Sequence, residues 1–235
     1  ELLPRSAIDL LAVGAVLGKE FDLTFAAELA RQSLSEAIAA LGVARERHLV
    51  WVRPDGVHCV FVHDKIRTTL LAQLSDEARR EQHHRIALSL QKESPDRVFD
   101  LAYHFDAAGR SELALEYALI AARQARSQHS LEVAEEQYRI AQRGSVSADR
   151  ATKYAIAEGL GEVLLLRGHY DATAEQFHEA EKLAEGSFAL AQIRGKLGEL
   201  AFKRGDMESA TVAFEEAIRL LGKPVPRNPV VFVVM

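Results

Sequence analysis

Apolar residues first recur at helical spacing near the start of the chain, where Ile8, Leu11, Ala12, Ala15 and Val16 fall on one stripe. Pro4 suits a first-turn position and Gly18 a C-terminal cap, so the pattern predicts a helix over 4–17. Asp22 or Thr24 can cap a second helix running through Phe25, Ala26, Leu29 and Ala30. Ser33-Leu34-Ser35-Glu36 opens a third, with Ile38, Leu41 and Val43 or Ala44 expected inward. Only two or three residues separate these two helices, which is helix-turn-helix spacing. The period then falls to two. Residues 49–53 and 57–61 are β-rich runs around the turn Pro54-Asp55-Gly56, which predicts a hairpin. Three helices and a hairpin describe a winged helix.

From Asp64 onward every apolar pattern is helical. Ile66, Leu70, Leu71 and Leu74 line one helix, with Asp64 expected to cap it. Ile86, Ala87 and Leu90 line the next, which Ser75-Asp76-Glu77 caps. Glu93-Ser94-Pro95 is a break. A series of helix hairpins follows, and its last two members are an internal repeat. Leu160-Gly161-Glu162 returns as Leu197-Gly198-Glu199, Arg167-Gly168 as Arg204-Gly205, Phe177 as Phe214, and Ala180 as Ala217, each 37 residues on. A constant period of this size marks a solenoid. Gly161 and Gly198 are expected to allow close helix approach, Gly168 and Gly205 to form the turns, and the phenylalanines to fill the space between helices. Ala122, Ala134, Tyr138 and Ala141 form a more degraded copy.

The expected fold is mainly α: a winged-helix domain over 1–75, a connecting helix over 76–96, helical repeats over 97–222 and a Pro-rich link with an apolar tail over 223–235. The beginning at Glu1 and the end inside Val230-Val231-Phe232-Val233-Val234-Met235 suggest a piece of a longer protein.

Charge and chemistry narrow the function mainly by subtraction. A net charge of −5 gives the whole chain no footprint for nucleic acid or an anionic membrane. Residues 1–62 carry six Lys/Arg against eight Asp/Glu, and the candidate recognition helix offers no Arg, Lys, Asn or Gln early enough to read base edges. The single Cys59 excludes an internal disulfide and fits a reducing, cytoplasmic setting. Gly14-Ala15-Val16-Leu17-Gly18-Lys19 is one residue short of a phosphate-binding loop, lacks the hydroxyl residue after Lys, and follows a helix rather than a strand. His83 and His84, adjacent on a charged helix, point about 100° apart and cannot chelate one metal from one face, so a solvated surface is expected. The same is expected of Asp100, His104 and Asp106. No catalytic set, metal site or membrane span emerges, so the chain is expected to be no enzyme.

Two resemblances add to this. The small–turn–large–aromatic–Ala order over 98–221 resembles the tetratricopeptide repeat, whose usual period is about 34 residues. Phe61-Val62-His63-Asp64-Lys65-Ile66-Arg67 resembles the Met-His-Asp motif that ends the winged helix of STAND-class signalling ATPases, with Val62 in place of Met. The run from Leu10 to Asp22, and the link from Leu220 to Arg227, are similar to segments of large bacterial predicted ATPases of this kind. The resemblance implies a regulatory region that follows an NTPase module in the same chain and binds a protein or peptide through its repeats. ATP/ADP and Mg would belong to the longer protein, and His63 would contact the β-phosphate of bound ADP and hold the inactive state. A free-standing repeat adaptor and a DNA-binding regulator remain the alternatives.

Overall fold

The computed structural model describes residues 3–224, and these divide into two compact units between Arg110 and Ser111. The expectations for the tail, 225–235, lie outside the described residues.

The first unit opens with α1 (Arg5–Leu17), β1 (Glu20–Asp22), α2 (Leu23–Leu29), α3 (Leu34–Glu46), β2 (Val50–Val52) and β3 (His58–Phe61). This is the element order of a winged helix. Local chemistry sets its boundaries. Asp22 accepts from the Phe25 N–H at 2.8 Å and caps α2. Ser33 and Glu36 form a reciprocal capping box at α3. At the hairpin tip, the Val57 and His58 N–H groups donate to Asp55 Oδ1, and these bonds with the His58 ring pull the carboxyl down to about 2.

The sheet has three strands rather than the two expected. β3 lies in the middle, antiparallel to both neighbours, with Phe21 opposite Cys59 and Trp51 opposite Val60. Cys59 and Phe61 point inward, and burial pushes the Cys59 thiol up to about 11, which makes it a packing residue. Gly14 explains the loop-like run noted above. A methyl group added there would come within 2.7 Å of the Phe21 ring, so Gly14 is the space that seats Phe21 against α1.

One packing expectation fails. Ile38 is exposed, and the buried stripe of α3 is Ala37, Ala40, Leu41 and Ala44. Three alanines let α3 lie close to α1, and that close fit outweighs the area Ile38 would bury.

The unit continues through α4 (Asp64–Ala72), α5 (Asp76–Glu93) and α6 (Val98–Ala107). α6 packs on α5, so the expected boundary at residue 97 falls inside this unit. Two arginines close earlier helices. Arg67 Nε donates to the Ala15 carbonyl at 2.9 Å, and Arg85 donates to the Leu29 carbonyl. Both acceptors lie in a last helical turn, where carbonyls lack intrahelical partners. Arg67→Met, which keeps the apolar stem, is expected to cost about 1–2 kcal/mol in urea unfolding, the cost of an orphaned, part-buried carbonyl.

The second unit consists of three helix hairpins among the described residues: α7 (Ser111–Ser127) with α8 (Leu131–Gly144), α9 (Arg150–Leu166) with α10 (Tyr170–Leu183), and α11 (Gly186–Lys203) with α12 (Met207–Leu220). α9 packs on α8, and α11 on α10. The same cap ends α7, α9 and α11: the Ser130, His169 and Asp206 N–H groups bond back to Ala125, Leu164 and Ala201. Its left-handed residue is Gly168 or Gly205 in the clear repeats and His129, at φ 58, in the degraded one. The Phe177 and Phe214 rings lie directly on Gly161 and Gly198.

Candidate functional site

The joint between the sheet and α4 is built from three adjacent residues with different tasks. Phe61 is buried and anchors the end of β3, and the Val62 N–H bonds to the Leu49 carbonyl at 3.1 Å. His63 then takes an extended backbone, φ −132 and ψ 139, and is itself the N-cap of α4. This corrects the expectation for Asp64, which is the first residue of the helix rather than its cap. Asp64 still complements the positive helix end from the first turn.

The His63 side chain makes no capping hydrogen bond and is exposed. It stands, with Lys65, at the rim of an open groove of about 450 Å³. Leu3, Leu11, Leu49, Ile66 and Leu70 supply the apolar lining. The arrangement presents an imidazole and an ammonium beside an apolar surface. Both can donate to an anionic oxygen, and neither is built into a catalytic pair.

A second surface lies on α3 and the wing. Leu34 and Ile38 project to solvent one turn apart, and Trp51 on β2 is exposed. The early solvent face of this helix thus mixes apolar Leu34, Ile38 and Ala39 with Ser35 and Glu36, and no Lys or Arg stands among them.

In the second unit, the first helices of the three hairpins are linked by partly buried charges. Arg126 of α7 pairs with Glu162 of α9, and Lys196 Nζ of α11 lies 2.5 Å from Glu158 Oε1 and from Glu162 Oε1. Arg204 reaches Asp171 at 2.5 Å, and Arg167 reaches Glu135 at 2.5 Å. These pairs join residues 32 to 38 apart in sequence, so they fasten one hairpin to the next. Tyr154, in the same region, has its hydroxyl pushed up to about 12 by burial and by Glu158.

The structure overturns the solvated reading of His83 and His104. Both are buried, with their Nδ1 atoms 2.8 Å apart, and Tyr103 meets both rings edge-on. Burial first, then neighbouring arginines, lowers His83 to about 4. Burial, then His83 and Arg97, lowers His104 to about 3. Both rings are therefore neutral near pH 7, with one Nδ1 carrying the proton and the other accepting it. Helical spacing contains the signal: His83, Ile86, Ala87 and Leu90 form one stripe, and Leu101, His104, Phe105 and Ala108 another. Among the described residues no group of three or more His, Cys, Asp or Glu is placed to hold a metal, and no helix is long and apolar enough to cross a membrane.

No family model matches the chain, and no curated protein matches it. Among solved structures, the chain is similar to a Signal Transduction ATPase with Numerous Domains (STAND) protein with a tetratricopeptide repeat sensor from Pyrococcus horikoshii. The identity is 18% and the TM-score 0.48, over 94% of this chain and 33% of that one. The chain thus spans about a third of the length of that structure.

Proposed function

We propose that the chain is a non-catalytic regulatory and protein-interaction region of a signal-transduction ATPase. Its winged helix packs on an NTPase module that precedes it in the same polypeptide, and its repeats bind a protein or peptide. The observation that carries this reading is the state of His63: an exposed imidazole that makes no capping hydrogen bond, at the sheet-to-helix joint beside an apolar groove. In this reading His63 donates to a phosphate oxygen of ADP held by the NTPase module. The contact favours one domain arrangement, and exchange for ATP shifts the population away from it. Mg and the hydrolytic residues belong to that module.

The exposed Leu34 and Ile38 of α3, with Glu36 and no Lys or Arg beside them, support packing against protein over binding to DNA. The charge ladder across α7, α9 and α11 supports a repeat array held in one curvature for its ligand.

The test uses the longer protein with His63 and with His63→Ala. The reading expects ADP to accompany the wild type through purification and to be lost from the variant, with basal output rising. Equal nucleotide content and equal output would reject it. In the isolated chain, His63→Ala is expected to leave thermal stability unchanged within about 0.5 kcal/mol, as for other exposed side chains.

A further inference from the structure

The two outer strands of the small sheet differ in chemistry. With strand order β1-β3-β2, both β1 and β2 have an edge that no other strand covers among the described residues. β1 reads Glu20-Phe21-Asp22, and its carboxylates blunt that edge against further pairing. β2 reads Val50-Trp51-Val52 and carries no charge. The ladder fixes which groups face outward. The Arg53 N–H donates to the His58 carbonyl and the Val62 N–H to the Leu49 carbonyl, so residues 49, 51 and 53 bond inward to β3. The N–H and C=O groups of Val50 and Val52 therefore point away from β3. They open onto a groove of about 480 Å³ beside the C-terminal half of α3, lined by Gly42, Arg45, Glu46, His48 and Val62. Nothing lies within 4 Å of the point where a side chain on Gly42 would begin. Beside the same edge, Trp51 is 65% exposed.

We infer that the β2 edge pairs with the same edge of a second copy of the chain, joining two three-stranded sheets into one. The ground is self-complementarity. A two-fold axis requires one patch to match itself, and Val-Trp-Val reads the same in both directions. Antiparallel pairing centred on Trp51 sets Val50 opposite Val52 of the partner subunit, and Val52 opposite Val50 of the partner subunit. Each such pair exchanges both N–H···O bonds, and these use the outward groups of both strands. The two Trp51 side chains then fall at the non-hydrogen-bonded position, where Cα atoms are about 4.5 Å apart and side chains come closest. Aromatic pairs across strands are favourable there. Charge agrees with the pairing. Arg45 and Glu46 give the groove one charge of each sign, so a copy of the same groove meets no net repulsion. Pro54 has no N–H to donate, and His48 is in the left-handed region at φ 55, so the strand ends on both sides. The contact is therefore short and the dimer weak.

The test is made on the full 235-residue chain. Light-scattering mass is read from about 10 µM to about 1 mM, the range suited to a small interface, together with tryptophan emission. Trp51 is the only tryptophan in the sequence, so its emission reports this edge alone. Mass is expected to rise from one copy toward two, with emission moving to shorter wavelength in step. Trp51→Glu and Trp51→Lys each place like charges opposite one another. Each variant alone is expected to stay monomeric with unchanged ellipticity, and an equimolar mixture of the two to regain the dimer. A wild type still monomeric at the highest concentration would overturn the inference. So would a wild-type dimer that Trp51→Glu leaves intact, or a mixture of the two charge variants that stays monomeric.

Discussion

Gly161→Ala is expected to be among the most damaging single-methyl changes in the repeat unit, although alanine is the better helix former. The added methyl would lie 2.5 Å from the Phe177 ring, and Phe177 is fully buried in the cluster that joins α9, α10 and α11. Neither ring nor helix can give way without opening that cluster. The expected loss is about 1–3 kcal/mol. Gly195→Ala sits in a neighbouring helix with nothing within 4 Å of the new methyl. There the propensity gain acts alone, about 0.5–1 kcal/mol in the stabilising direction. Gly198→Ala should fall between them, because the Phe214 ring that it meets is half-exposed and can swing. Urea unfolding followed by ellipticity reads all three. Equal effects at the three glycines would mean that the ring-on-glycine contacts do not set the spacing of the hairpins.

The second large effect concerns acid. His83 and His104 are held neutral in the first unit, with pKa values near 4 and 3 against an ordinary value of 6.5. Their folded values are depressed, so the unfolded chain binds the protons first. The stabilisation is complete above pH 6.5 and is lost as pH falls toward 4. The groups facing the pair include Arg79 and Arg67 toward His83 and Arg97 toward His104, all of which oppose a new positive charge. The expected loss between pH 7 and pH 4 is on the order of 3 kcal/mol or more. Hydrogen exchange at the amides of α5 and α6 should report it, with α9 and α10 much less affected. The double variant His83→Leu, His104→Leu replaces both partners by apolar groups and should flatten this dependence. A wild-type α5–α6 pair as protected at pH 4 as at pH 7 would contradict the neutral pair.

What the residues revealed in advance, and what they did not, follows physical lines. Features written locally were legible: the Ser33–Glu36 box, the Asp55-Gly56 turn, and the Gly161/Phe177 and Gly198/Phe214 pairs separated by one repeat. Features decided by tertiary choice were less so. β1 is three residues, Glu-Phe-Asp, too short to carry a period, and forms because the free edge of β3 is available to it. Ile38 and its alanine neighbours have competing faces, and only the close fit of α3 on α1 decides between them. His83 and His104 lay on apolar stripes, but the charged residues around them suggested solvent. At the candidate site the motif pointed to His63, while its N-cap position and open rim depend on how β3 meets α4.

The most direct measurement of the central claim is the release rate of labelled ADP from the longer protein, wild type against His63→Ala. A charge-assisted phosphate contact is worth about 1.5–3 kcal/mol, so release should accelerate at least about tenfold in the variant. His63→Gln, which keeps a donor, should lie between the two. Identical release rates for all three would show that the joint at His63 senses no nucleotide.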